Sequence, residues 1–148
     1  MAFDRTRVSM DIEKTIITLF IASDDFLKQC IASAKPEYFE SPWSQTLFKW
    51  ISEHFEIYGD APKERIQDIF NAKALELPQE DATIIEAVCQ NLSELSDKLT
   101  NNVGFYVDRA TTYFRNRSLS VLAKNMQMSI DNGHYDAAEK YLVDFRKV

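Results

Sequence analysis

Glycine and proline are scarce in this chain, and their scarcity limits the folds open to it. Only three glycines and four prolines occur among 148 residues. A fold of many short strands needs a turn every few residues, and turns depend heavily on these two residue types. Hydrophobic residues make up 45% of the chain, which is typical of a globular protein with a buried core. The sequence therefore predicts an all-α fold.

Apolar residues recur at spacings of three and four along most of the chain, as in helices with one buried face. Ser9 or Asp11 is predicted to cap the first helix, after a loose arm at residues 1–8. Ser41 followed by Pro42 predicts the start of an aromatic-rich helix. We expect this helix to bury its large side chains, which are Trp43, Leu47, Phe48, Trp50, Ile51, Phe55 and Tyr58.

The longest helical pattern covers residues 103–131, and Asn101 and Asn102 are suited to cap it. Asn132-Gly133 is a typical signal for a helix stop and a reversal of the chain. A last helix follows, with apolar residues again at spacings of three and four. Two such helices joined by a tight turn predict a C-terminal helical hairpin.

The charge of the chain changes close to the start of the predicted hairpin. Residues 1–99 hold 10 basic and 18 acidic residues, which gives a net charge of −8, whereas residues 100–148 hold 7 and 5, which gives +2. We therefore predict two parts, a multi-helix head over residues 1–100 and a hairpin for subunit association over residues 101–148. The overall charge of −6 does not favour sequence-independent DNA binding, which usually needs a basic face.

The predicted hairpin holds more apolar side chains than one seam between two helices requires. Exposed apolar patches usually mark interfaces, so we predict that the hairpin associates with copies of itself. The alternative is that these side chains pack within the hairpin or against the head. The predicted interface residues are Tyr113, Phe114, Leu119, Leu122, Met126, Tyr135, Leu142 and Phe145.

The long helix is also locally basic. Its cations are candidate contacts for an acidic partner protein or for a DNA strand, and a solvated or salt-bridged helix face is the alternative. The residues concerned are Arg109, Arg115, Arg117 and Lys124.

No pattern in the chain predicts catalysis, a metal site or a cofactor site. His54 and His134 have no nucleophile motif or ligand spacing around them, so we expect a surface or half-buried His54 and an exposed His134. Cys30 and Cys89 form no CxxC pair, and we expect two buried, reduced thiols. No signal peptide or membrane-spanning stretch is visible, so we expect a cytoplasmic protein without a membrane partner.

Four segments follow one another in a recognisable order. An acidic and apolar helix at residues 11–19 (DIEKTIITL) precedes PEYF at 36–39, GDAP at 59–62 and a long helix that begins NVGFY at 102–106. Together they resemble the N-terminal domain of DnaB-type replicative DNA helicases, from about Asp11 to Phe145. The chain departs from the commoner family pattern at Ser44 to Ile51, where many members have a His-rich run.

The resemblance implies a small helical head followed by a protruding hairpin. In this family the hairpins pair between subunits and build a collar on a hexameric ring, and the collar docks primase and, in some members, a helicase loader. It implies a homo-oligomer, with dimers building toward a hexamer, and only indirect contact with DNA. The family's ATP-driven motor is a separate RecA-type domain with a GxxxxGK[ST] loop, which this chain lacks, so we expect no enzymatic activity from the chain itself. The alternative is a stand-alone adaptor of the same fold that binds a helicase, as the helicase-binding region of primase, a loader or an inhibitor does.

Overall fold

A computed structural model of the chain describes the backbone of residues 5–146 and the side chains of residues 11–146. The described part is built from α-helices, short 3-10 turns and loops, and it holds no strand, so the all-α prediction is confirmed. The helices are α1 (Arg5–Ala22), α2 (Asp24–Cys30), α3 (Pro42–Tyr58), α4 (Arg65–Lys73), α5 (Gln79–Gln90), α6 (Leu92–Leu99), α7 (Val103–Asp131) and α8 (Tyr135–Arg146).

Several helix ends lie where local sequence signals predict them. The Ser23 hydroxyl accepts the backbone N–H of Phe26 at 3.1 Å and so caps the start of α2. Gly59 ends α3 in the left-handed conformation, with φ +73°, which costs glycine little because it has no Cβ. The helix after Asn102 begins at Val103 and runs to Asp131, as predicted.

The start of α1 differs from the prediction. The helix begins at Arg5, so the loose arm is wrong for residues 5–8, and residues 1–4 lie outside the described part of the chain. Asp11 lies inside the helix rather than at its cap, and so does Ser9, whose side chain is not described. Helix formation is cooperative, so the helix held by the buried side chains of Ile16, Ile17 and Phe20 propagates past Asp11 toward its N-terminus.

The core of the head is a cluster of rings and aliphatic side chains supplied mainly by α1, α2 and α3. Phe20 of α1 lies 5.2 Å from Phe26 and 5.7 Å from Phe48, measured between ring centroids. Phe39, just before α3, lies 5.2 Å from Phe48. In addition, α1 packs against α6, and α5 packs against both α3 and α4. This cluster fixes the position of α3.

The aromatic helix is less buried at its C-terminal end than the sequence predicts. Trp43, Leu47 and Ile51 are buried as expected. Phe55 is only half-buried. Tyr58 is 62% exposed, so its predicted burial is wrong. The final turn of α3 therefore leaves the core and faces solvent.

The chain forms two compact units, with the boundary between Thr111 and Thr112. The first turns of α7 thus belong to the first unit, whereas the sequence placed the whole of this helix in the hairpin part. The second unit consists of the rest of α7 and α8. No helix in the described part of the chain is both long and apolar enough to span a membrane.

Candidate interaction surfaces

The turn between α7 and α8 is closed by two backbone hydrogen bonds. The N–H of Gly133 donates to the carbonyl of Ile130 at 3.0 Å, and the N–H of His134 donates to the carbonyl of Ser129 at 2.7 Å. Gly133 has φ +75°, in the left-handed region that a side chain disfavours. The Asn-Gly signal therefore acts as predicted, and α7 and α8 form a helical hairpin.

One side of each hairpin helix is covered within the fold. On α8, Ala138 is 4% exposed and Phe145 is half-buried. On α7, Leu122 and Asn125 are half-buried.

A second side of the hairpin is apolar but open to solvent. Leu119 and Ile130 of α7 are 42% and 38% exposed, and Tyr135 and Leu142 of α8 are 67% and 38% exposed. At about 100° per residue, Leu119, Ile130 and the half-buried Met126 fall within about 40° of one another on α7, and Tyr135 and Leu142 within about 20° on α8. When two helices of a hairpin run antiparallel, the set on α7 and the set on α8 lie on the same side of the hairpin. We call these five residues the hairpin face.

The structure places the other predicted interface residues in less open positions. Phe114 is 2% exposed, so its ring lies in the interior and not on a surface. Tyr113, Leu122 and Phe145 are half-buried. Exposed apolar residues of the second unit that the prediction left out are Ile130, Tyr141 and Val143. The sequence does not distinguish the buried from the exposed residues here. An apolar pattern that continues along the helix does not separate side chains that a neighbouring helix covers from side chains that stay exposed.

The predicted basic residues do not form one continuous face. Arg115 and Lys124 are exposed, but nine residues separate them, which places them on opposite sides of α7, about 180° apart. Arg117 is half-buried. The Arg109 guanidinium is exposed and lies 5.7 Å from the centroid of the Phe105 ring. Their role as contacts for a partner protein or DNA stays a prediction.

His54 has a structural partner that the sequence did not indicate. It is 6% exposed, not a surface or half-buried residue, and its Nε2 lies 3.1 Å from Oδ1 of Asp60. The same Oδ1 accepts a hydrogen bond from Arg65 at 3.2 Å. Desolvation raises the pKa of Asp60, but the hydrogen bonds and charges of His54 and Arg65 outweigh it and hold that pKa below its ordinary value. These contacts fix the loop that follows α3.

The remaining candidates for chemistry show no assembled site. Within the residues that the structure describes, no three or more His, Cys, Asp or Glu side chains are grouped to hold a metal ion. His134 is exposed beside the hairpin turn, as expected. Cys30 is buried and Cys89 is half-buried. Burial raises the pKa of each thiol to about 11, so little of either is the reactive thiolate near neutral pH.

The first unit also has exposed apolar residues that the sequence prediction missed. Ile57 is 73% exposed, and Leu75, on a 3-10 turn after α4, is fully exposed. The sequence analysis predicted Tyr58 to be buried and did not predict that Ile57 or Leu75 is exposed. The available signals are the charged Glu56 and the helix-ending Gly59, which follow Phe55 closely and mark the end of the buried stretch.

Comparisons with protein-family models, with curated proteins and with solved structures found no match to this chain.

Proposed function

We propose that this chain is a non-catalytic N-terminal collar domain of a replicative DNA helicase, which associates with copies of itself and docks primase or a helicase loader. The order of its sequence segments supports this reading, because it resembles that of the DnaB-type N-terminal domain. A multi-helix head followed by a helical hairpin is the architecture that the resemblance implies. The proposal assigns the chain a role in assembly rather than in chemistry.

The observation that carries the proposal is the hairpin face. Tyr135 and Leu142 present large apolar surfaces to water on α8, where they are 67% and 38% exposed. Burial of apolar area is worth about 25 cal/mol per Å², so covering such a face favours association. Because two copies would present the same face, a two-fold symmetric contact between hairpins buries it completely. The result is a four-helix seam between two subunits.

Sedimentation equilibrium of the purified chain tests this step. We expect a molar mass that rises with concentration from 17.1 kDa toward that of a dimer and higher species. The double variant Tyr135→Asp with Leu142→Asp places two charges in the seam and should remain monomeric. Both positions are solvent-exposed, so the fold itself should tolerate the change, which circular dichroism would verify.

Leu75→Asp is the control, because it makes one such replacement of an apolar residue by Asp at a fully exposed position of the first unit. It should associate like the unaltered chain. An unaltered chain that stays at 17.1 kDa at all concentrations would refute self-association, and a double variant with undiminished mass would refute the role of the hairpin face.

The mass of the native protein in its source cell separates the collar from the stand-alone adaptor. An immunoblot species much heavier than 17.1 kDa supports the collar, because a motor domain would then follow in the same chain. A species at 17.1 kDa favours the adaptor. In that case a pull-down with the purified chain should recover a separate helicase.

A further inference from the structure

A groove on the first unit lies between the last turns of α3 and the middle of α4. Its volume is about 360 Å³. From each helix the lining residues recur at helical spacing, so each helix turns one face to the groove. The lining residues that matter to the argument are Trp50, Ile57 and Tyr58 of α3 and Asp68, Ile69 and Lys73 of α4. We call this the α3–α4 groove.

The floor of the α3–α4 groove is buried, and its rim is apolar and open. Trp50 is 7% exposed, whereas Ile57 and Tyr58 are 73% and 62% exposed. Ile69 on the opposite wall is half-buried. A single exposed apolar side chain is ordinary in a folded protein, but two beside an apolar floor and opposite a second apolar wall form a patch suited to binding.

The loop between α3 and α4 is fixed by contacts from three directions. The Asp24 carboxylate of α2 accepts the backbone N–H of Ala61 at 2.8 Å and the ammonium of Lys63 at 3.1 Å. The backbone N–H of Lys63 donates to the carbonyl of Ile21 in α1 at 2.8 Å. His54 holds the loop through the contact with Asp60 described above. The two walls of the groove are therefore held at a set separation, which lowers the entropic cost of binding.

The charges at the groove favour a basic occupant. Nζ of Lys73 lies 3.6 Å from a carboxylate oxygen of Glu53 and 5.7 Å from the centroid of the Trp50 ring. Lys73 is thus engaged within its own wall. The guanidinium of Arg65 lies 5.9 Å from the centroid of the Tyr58 ring at the rim, and it is engaged in turn by Oδ1 of Asp60 at 3.2 Å. Asp68 is exposed, and no ion pair to it occurs in the part of the chain that the structure describes. Residues 1–99 carry a net charge of −8, so the surrounding field has the same sign.

We infer that the α3–α4 groove docks an amphipathic α-helix of a separate partner protein, with apolar side chains against Ile57 and Ile69 and a Lys or Arg side chain toward Asp68. Two helices that form the walls offer no strand edge, so a helix laid in the groove is the recognition mode that fits. The exposed helix α8 of a second copy fits less well, because its three acidic and two basic residues give it a net charge of −1.

This inference specifies the docking role within the proposed function, but it rests only on the α3–α4 groove and not on self-association of the hairpin.

The experiment selects, from a displayed library of 16-residue helical peptides randomised at all solvent-facing positions, those that bind the purified chain. Peptides that also bind the Ile57→Ser variant are removed. We expect the survivors to have apolar residues at i, i+3 or i+4 and i+7, with a flanking Lys or Arg.

Fluorescence anisotropy then measures the affinity of one surviving peptide for further variants. Ile69→Ser removes the apolar anchor on the opposite wall, which the selection does not use, and should weaken binding about tenfold or more. Asp68→Lys should weaken it as well and should restore binding of the same peptide with Glu in place of its basic residue. Leu75→Ser removes an equally exposed apolar side chain outside the groove and should leave the affinity unchanged.

Three outcomes would overturn the inference. They are the absence of any peptide that discriminates against Ile57→Ser, survivors without the amphipathic basic pattern, and an affinity that Asp68→Lys leaves unaltered. A lower molar mass of the Ile57→Ser variant in sedimentation equilibrium would instead assign the groove to a second copy of this chain. None of these results depends on the hairpin variants, so failure here is distinguishable from failure of self-association.

Discussion

The carboxylate of Glu13 on α1 accepts the backbone N–H of Glu40 at 2.8 Å, across 27 residues of sequence. The same oxygen accepts the N–H of Ser41 at 3.1 Å, and the Ser44 hydroxyl lies 3.2 Å from the other oxygen. Ser41 is the N-cap residue of α3 but makes no side-chain cap hydrogen bond. A buried carboxylate from another helix thus satisfies backbone donors at the start of α3, where the helix dipole also favours negative charge.

Removal of this carboxylate should destabilise the protein strongly. Glu13 is fully buried, so Glu13→Ala leaves the backbone N–H groups of Glu40 and Ser41 without their acceptor, whereas the Ser44 hydroxyl keeps the carbonyl of Ser41 at 2.8 Å. We expect the free energy of unfolding to fall by about 3 kcal/mol, measured in urea. Glu13→Gln keeps one carbonyl oxygen as an acceptor and should lose about 1 kcal/mol. Glu37→Ala, at an exposed residue, should change stability by less than about 0.5 kcal/mol, and an equal loss there would contradict the capping role.

Stability should depend on pH through Asp24. The hydrogen bond from the Ala61 N–H and that from Lys63 hold the pKa of Asp24 below its ordinary value of 3.8. A lowered pKa in the folded state means that the carboxylate adds stability above pH 3.8 and loses it as the pH falls through the folded value.

The comparison of the unaltered chain with Asp24→Asn by urea unfolding tests this dependence. At pH 7 we expect Asp24→Asn to be less stable by about 1 kcal/mol, since the pair is partly exposed. The difference should shrink between pH 4 and pH 3. Asp25→Asn removes the neighbouring exposed carboxylate and should show little difference at any pH. A difference for Asp24→Asn that persists unchanged at pH 3 would exclude this origin.

Two glycine-to-alanine changes should alter stability in opposite directions. Gly133 has φ +75°, and an alanine there strains the backbone by about 1 kcal/mol. Gly104 lies in the first turn of α7 without a positive φ, so alanine should stabilise the helix by about 0.5 kcal/mol. No heavy atom lies within 4 Å of the added Cβ at either position, so crowding does not contribute. Thermal unfolding of both variants measures the signs, and two shifts in the same direction would argue against the backbone explanation.

Local signals predicted the boundaries of the helices better than they predicted burial. The starts of α3 at Pro42 and of α7 at Val103 and the turn at Gly133 lie where the sequence predicts them, because caps and left-handed turns depend on a few neighbouring residues. The burial of His54 and the exposure of Tyr58 were both predicted incorrectly. Burial depends on which helices cover a given turn, and the apolar spacing along one helix does not contain that information.

In the hairpin, too, the helices and the turn were predicted correctly but the burial of individual side chains was not. Its two helices and its turn follow from the long apolar stripe and from Asn132-Gly133. The prediction of an interface included Phe114, which is buried, and omitted Ile130, which is exposed. Only the folded structure separates the covered side of each helix from the side that is open to a partner.

The sequence by itself determined that this chain is all-α and that α7 and α8 are joined by a tight turn, because helix periodicity, caps and glycine stops act over a few residues. The tertiary structure decided which polar groups meet across the fold. Glu13 reaches the start of α3 over 27 residues, and Asp24 reaches the loop at Ala61 over 37. It also decided that a groove remains open between α3 and α4. Such contacts arise when apolar burial fixes the helices relative to one another, and no local spacing predicts the distance between residues so far apart in the chain.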